Sequence, residues 1–234
     1  MRTAVLIAAP MLVAGLLAAG CSQSGDDAAG PAVLTPITPS HPVQRTPRSS
    51  TEATATVAAK APESSASASD AIAWVQAAQP ADSADFRVAL RGGVSTSIGE
   101  DVAFTTPFGT QCMTDVKRSA TDLACLVALA DPPKAPPDVY GVWKGGWVDF
   151  DGSVVRIGSA HGDPGRFAVG RGVPLPTDRS LSFGDYRCRN DATTLVCVNY
   201  ARQTAVRYAD DAVTPFGCTR QTPPDAGVGI QYRC

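Results

Sequence analysis

The residues best suited to bind a ligand lie in the second half of the chain. Trp143 and Trp147 are four residues apart, so on a regular strand they share one face. If that face is exposed, the two rings form a platform for stacking on sugars or apolar ligands. If it is covered, both rings belong to the core, where tryptophan is usually found. The candidate ligand-binding residues are Trp143, Trp147, Asp149, Asp151, His161 and Asp163.

Asp149 and Asp151 are the carboxylates that could act as a catalytic pair. They flank Phe150 and therefore point to one face of a strand, and with Asp163 they could also bind calcium. Asp151-Gly152 is, however, an ordinary hairpin-turn dipeptide, and glycosidase chemistry needs a set separation between two carboxyl groups. We therefore interpret Asp151 as a turn residue and predict no catalytic residue.

The sequence does not indicate a histidine-assisted nucleophile. His161 is the only histidine outside the N-terminal part of the chain, which holds His41, and no Gly-x-Ser-x-Gly sequence is present. The segment from His161 to Arg166 contains Gly and Pro, which predicts a loop. The chain also has no Cys-x-x-Cys pair, so we predict no metal site and no cofactor.

The N-terminus has the pattern of an export signal. Arg2 precedes an uncharged apolar run that ends Leu17-Ala18-Ala19-Gly20-Cys21. This ending resembles the bacterial lipobox, although Ala18 stands where leucine is preferred; an ordinary signal peptide is the alternative. The resemblance implies cleavage before Cys21 and acylation of that cysteine. Because two acyl chains give stable anchoring, we expect the protein to be held on the outer face of the plasma membrane.

The remaining six of the seven cysteines predict three disulfides, since exported proteins mature in an oxidising compartment. Residues paired across an even-length turn are an odd number apart, as Cys112 and Cys125 are. A turn at 191–194 likewise places the next two cysteines opposite each other. Fifteen pairings are possible. The predicted set is Cys112–Cys125, Cys188–Cys197 and Cys218–Cys234.

Composition divides the chain into three parts. Residues 1–20 form the signal peptide, residues 21–70 a disordered tether rich in Ser, Thr, Ala and Pro, and residues 71–234 a folded domain that holds all the tryptophans, tyrosines and phenylalanines. The tether is either glycosylated or an unmodified spacer. In the domain 16 Lys and Arg face 17 Asp and Glu, so we predict no nucleic-acid partner.

The domain is predicted to be mainly β. One helix is indicated at 69–78, capped by Ser69 or Asp70, and Pro80 ends it. The signals after it favour short strands separated by Gly, Pro, Asp or Asn, which predict an antiparallel sandwich or open barrel of disulfide-linked hairpins. An α+β domain is the alternative. The predicted strands are 102–105, 123–129, 142–150, 154–157, 195–200, 205–208 and 229–233.

Four segments carry a resemblance to a known family. Val142–Gly152, His161–Gly165, Phe183–Arg189 and Pro215–Cys218 resemble the LppI-type lipoproteins of mycobacteria, over most of 71–218. The family has an export signal but no established activity, so the resemblance implies an exported lipoprotein and assigns no catalytic residue.

Three classes of function are compatible with these observations. The first is a non-catalytic envelope module that binds a glycan, a lipid or a protein. The second is an envelope hydrolase that uses an unrecognised carboxylate or His161. The third is a structural surface protein without a small ligand. The tether and the disulfides favour the first.

Overall fold

The computed structural model describes residues 60–137, 139–161 and 165–234. The main regular structure in this part of the chain is short strands, which β-branched and aromatic residues between turn residues favour. In chain order the elements are α1 (Ala68–Gln76), β1 (Gln79–Pro80), a 3-10 helix (Ser83–Phe86), β2 (Val88–Arg91), β3 (Val94–Ser97), β4 (Ala103–Thr105), β5 (Gln111–Asp115), β6 (Ser119–Leu126), β7 (Val142–Phe150), β8 (Val154–His161), a second 3-10 helix (Gly165–Val169), β9 (Val173–Pro174), β10 (Arg179–Phe183), β11 (Tyr186–Asn190), β12 (Leu195–Asn199), β13 (Thr204–Tyr208), β14 (Val213–Phe216), β15 (Arg220–Thr222) and β16 (Val228–Arg233).

The strands form two large sheets and one hairpin. One sheet has the order β1-β10-β11-β12-β13-β14, the other β15-β16-β8-β7-β6-β5-β4-β9, and β2 pairs with β3. Among the described strands, only the short pairs β1–β10 and β4–β9 are parallel. One buried cluster contains Leu181 from the first sheet and Phe104 and Val148 from the second, so the sheets pack as a sandwich. The predicted mainly β fold with one N-terminal α-helix is confirmed.

Helix α1 covers the outer face of the first sheet. Ser67 caps it in a capping box with Asp70, two residues earlier than the predicted cap Ser69. Its buried residues are Ala71, Trp74 and Val75, which pack with Val196, Val198, Ala205 and Phe216. The predicted helix 69–78 is therefore shifted toward the N-terminus.

Ordered structure extends below the predicted domain boundary at Ala71. Ala61 is 6% exposed, and its N–H donates to Asp191 Oδ2 at 2.9 Å. Residues 60–70, which composition assigned to the tether, therefore belong to the domain. The proposed signal peptide, Cys21 and the rest of the tether lie outside the described residues.

The three predicted disulfides are confirmed. Cys112 and Cys125 are directly paired between β5 and β6 with Cα atoms 4.1 Å apart. Cys188 and Cys197 have the same Cα separation, 4.1 Å, between β11 and β12. These two bridges lie in the core between the sheets. The third bridge, Cys218–Cys234, joins the segment before β15 to the residue after β16.

Within the described ranges, no helix is long and apolar enough to cross a membrane.

Candidate functional site

Trp147 does not form part of an exposed platform. It is 1% exposed, and its ring contacts Phe167 edge-on with the centroids 5.2 Å apart. Phe167 belongs to the 3-10 helix Gly165–Val169, which lies against the outer face of the second sheet. The core interpretation of Trp147 is confirmed, and the platform interpretation is wrong for this residue.

Trp143 is half-buried and engaged by its own chain. Its indole Nε1 donates to the Pro133 carbonyl oxygen at 2.9 Å. Its ring lies so close to Gly158 that a Cβ there would be 2.6 Å from the ring. The β7–β8 register shifts between Lys144 and Val148, so β7 is not the regular strand on which the predicted platform depended.

Asp149 and Asp151 serve the β7–β8 hairpin. Asp151 Oδ1 accepts from the N–H groups of Ser153 at 2.8 Å and Val154 at 2.7 Å, which confirms its turn role. Asp149 is half-buried and lies opposite Arg156 in the register, and the Arg156 guanidinium is also 3.5 Å from Asp151 Oδ2. Arg156 therefore lies opposite one of the two aspartates in the register and forms an ion pair with the other.

The other two predicted ligand-binding residues are not tested. His161 ends β8 opposite Val142, and its backbone alone is described. Asp163 lies outside the described residues.

A cavity of about 520 Å³ beside the β7–β8 turn is polar. Asp122, Asp151 and Asp185 contribute carboxylates to its wall, and Asn199 Oδ1, also there, accepts from the Arg202 N–H at 3.0 Å. No group of residues suited to hold a metal ion is found in the described part of the chain.

A larger cleft lies beside the β2–β3 hairpin and has a volume of about 710 Å³. We call it the hairpin cleft. Its walls come from β3 and the residues after it, from the β5–β6 turn and from the 3-10 helix Gly165–Val169. The lining includes Thr96, Ile98, Met113, Val116, Arg166 and Val169.

A buried apolar cluster lies between the β2–β3 hairpin and the second sheet. Ala89 of β2 packs with Ala103 and Met113 of the second sheet, and Ile98 and Phe167 complete this layer. Ala89 and Ala103 are fully buried. Because this layer is closely packed, it holds the hairpin against the sheet.

Hydrogen bonds fix the walls of the cleft. Asp101 Oδ1 accepts from Thr114 Oγ1 at 2.9 Å and from the Val116 N–H at 2.8 Å. Arg166 Nη1 donates to the Met113 carbonyl oxygen at 3.3 Å. The β5–β6 turn and the 3-10 helix are thus tied to the strands that they border.

The cleft has both apolar and balanced charged surface. Val116 and Val169 are 36% and 46% exposed, and Arg118 lies 3.5 Å from Asp115 in an exposed ion pair. The charged lining residues are Glu100, Asp101, Asp115, Lys117, Arg118 and Arg166. Because acids and bases are equal in number, the cleft favours a ligand without strong net charge.

Burial affects titratable groups away from this cleft. Burial raises the pKa of Tyr186, whose hydroxyl donates to the Phe150 carbonyl oxygen at 2.9 Å, and that of Tyr208. Both phenols are therefore neutral at physiological pH and act as packing groups.

The chain matches no protein-family model, no curated protein and no solved structure. The resemblance to LppI-type lipoproteins therefore stays a prediction from the sequence, and the candidate site stands on its geometry.

Sequence reasoning missed the hairpin cleft. It predicted no strand at Val94–Ser97, although the dipeptide Gly92-Gly93 is a signal for a two-residue hairpin turn. Both glycines have positive φ, +57° and +82°, as a two-residue hairpin turn requires.

Proposed function

We propose that this chain is a membrane-anchored lipoprotein of the cell envelope, and that its domain binds an envelope component in the hairpin cleft without catalysis. The observation that carries the proposal is the cleft itself. Its volume of about 710 Å³ lies in the range of natural ligand sites, and its lining contains both apolar and polar residues. The uncharged run that ends at Cys21 supports the anchor.

The bonding of the cleft carboxylates supports binding over acid–base chemistry. Asp101 accepts from Thr114 and Val116, and Asp115 lies beside Arg118. Two of the three carboxylates in the lining, Asp101 and Asp115, are therefore engaged within the walls of the cleft. Val116 and Val169 remain as the apolar contact surface, and their burial by a ligand would be favourable.

A titration with three chemically distinct probes tests this function. The mature chain, labelled with 15N, is mixed separately with muropeptides from digested peptidoglycan, with phosphatidylglycerol vesicles and with a pool of random peptides. We expect at least one probe to shift the backbone amide signals of 96–99 and 115–118. If none of the three shifts them, the proposed binding function is wrong.

A further inference from the structure

We propose that the hairpin cleft binds an extended polypeptide segment of a partner protein, which adds to β3 as a further strand. This inference rests on the proposed binding function of the cleft and specifies the chemistry of its ligand. Among the described residues β3 is paired with β2 alone, and all four of its residues are exposed. Its second edge is therefore open to another chain.

The hydrogen bonding of the hairpin shows which backbone groups face that open edge. Ile98 N–H donates to the Arg87 carbonyl oxygen at 3.0 Å, so this position is a hydrogen-bonded pair. Hydrogen-bonded and non-hydrogen-bonded pairs alternate along an antiparallel ladder. Ser97, opposite Val88, is therefore a non-hydrogen-bonded residue, and its N–H and C=O point away from β2.

The opposite edge of the hairpin confirms this alternation of hydrogen-bonded and non-hydrogen-bonded pairs. Leu90 lies opposite Ser95, and Leu90 exchanges two backbone hydrogen bonds with Arg171, of 2.7 and 3.1 Å. Leu90 thus directs its backbone groups outward from the hairpin, and Ser95 must do the same on the other side. Ser95 and Ser97 together present two N–H and two C=O groups along the free edge of β3.

The free edge lacks the usual protection against strand addition. Exposed edges are commonly blocked by charged side chains, by proline or by a bulge. The sequence of β3, Val-Ser-Thr-Ser, contains no charge and no proline, and its pairing with β2 is regular. A strand of four residues offers about 13 Å of edge, which suits a short segment.

The cleft can receive the side chains of the added strand. Successive side chains of a strand point to opposite faces, so alternate residues of the segment would face Ile98, Met113, Val116 and Val169, all in the lining. The other residues would face solvent. We therefore expect a segment with apolar residues at every second position and little net charge, because the charges in the cleft balance.

Selection of displayed random peptides on the mature chain, followed by backbone methylation, tests the proposal. Each amide of the selected peptide is N-methylated singly. Since strand addition uses the backbone groups of every second residue, we expect methylation at alternate positions to weaken binding about tenfold and methylation between them to have little effect. No selected peptide, or a methylation profile without alternation, would overturn strand addition.

Variants of Ser97 provide the matched control on the protein side. Ser97→Pro removes the outward N–H, whereas Ser97→Ala keeps it, so we expect about tenfold weaker peptide binding for Pro and a change within about twofold for Ala. Equal binding by the two variants would contradict the proposal. The methylation profile decides the matter if Ser97→Pro does not fold.

Two other results would show that the occupant is not a strand of a partner protein. If muropeptides or vesicles shift the amides of 96–99 and peptides do not, the cleft binds a ligand and strand addition is wrong. If the chain dimerises and Ser97→Pro alone returns it to a monomer in sedimentation, the occupant of the edge is a second copy, which overturns the partner proposal.

Discussion

The guanidinium carbon of Arg189 lies 4.2 Å from the centre of the Trp74 ring, and Arg189 Nη1 donates to the Trp74 carbonyl oxygen at 2.6 Å. One side chain of β11 thus contacts both the ring and the backbone of α1. Arg189 is 5% exposed. Burial lowers its pKa, and Asp191 opposes that change. Since arginine stays protonated in proteins, the guanidinium stacks on the Trp74 ring as a cation.

Replacing Trp74 should therefore destabilise the domain strongly. We expect Trp74→Ala to lower the free energy of unfolding by about 3 to 5 kcal/mol, because it leaves a cavity under α1 and removes the ring from Arg189. Gln76→Ala is the control, since Gln76 is exposed on the same helix, and should change it by less than about 0.5 kcal/mol. Urea denaturation measures both; equal effects would refute the docking role of Trp74.

Asp191 should make part of the stability dependent on acid pH. Burial raises the pKa of Asp191, but hydrogen bonds from the N–H groups of Thr193, Ala61 and Thr194 outweigh it and lower the pKa overall. The stabilisation is therefore present above the unfolded value of about 3.9 and is lost as the pH falls through the lower folded pKa.

Asp191→Asn tests this linkage. We expect the variant to be less stable than the native chain at neutral pH, and the difference to shrink as the pH falls below about 4. Amide exchange at Ala61, which donates to this carboxylate at 2.9 Å, should accelerate in the variant. A stability difference that is constant across the acid range would contradict the assignment.

Removal of the Cys188–Cys197 bridge should destabilise the domain without changing its fold. In the chain-entropy view each short bridge contributes about 2 to 3 kcal/mol through the unfolded state. We expect the double variant Cys188→Ala, Cys197→Ala to lose roughly that amount in denaturant unfolding. Peptide mapping without reduction should recover the bridges Cys112–Cys125 and Cys218–Cys234 unchanged in it. A peptide linking β5 or β6 to β11 or β12 in the native chain would contradict the pairing.

Cys21→Ser should abolish anchoring, because the lipid is attached through sulfur. We expect the variant to resist the lipoprotein signal peptidase and to incorporate no labelled palmitate. The native chain, which retains Cys21, should be labelled and its processing should be blocked by globomycin. Globomycin-sensitive processing of the variant would refute the lipobox interpretation.

The parts of the fold that could be predicted are those whose local pattern determines their pairing. The odd separation of Cys112 and Cys125 predicted that they lie opposite each other in a hairpin, and they do, although the register shifts between Thr114 and Asp115 just before the turn. The same reasoning succeeded for Cys188 and Cys197. Disulfides within hairpins are local features, so the sequence carries enough information for them.

The site could not be predicted because its walls are distant in sequence. Trp147 packs against Phe167, twenty positions later, and the spacing of the tryptophans does not predict this long-range contact. Strand β3 is polar and exposed, so it lacks the hydrophobic alternation that marks a half-buried strand. Only Gly92-Gly93 signalled its hairpin.

The amide titration with two valine variants tests binding in the hairpin cleft most directly. Val169 lines the cleft and is 46% exposed, whereas Val142 of β7 is 49% exposed and is not in the lining. For whichever of the three probes shifts the amides of 96–99, we expect Val169→Arg to weaken binding at least about tenfold and Val142→Arg to change it by no more than about twofold. Equal binding by the two variants, or no shift with any probe, would contradict binding in the hairpin cleft.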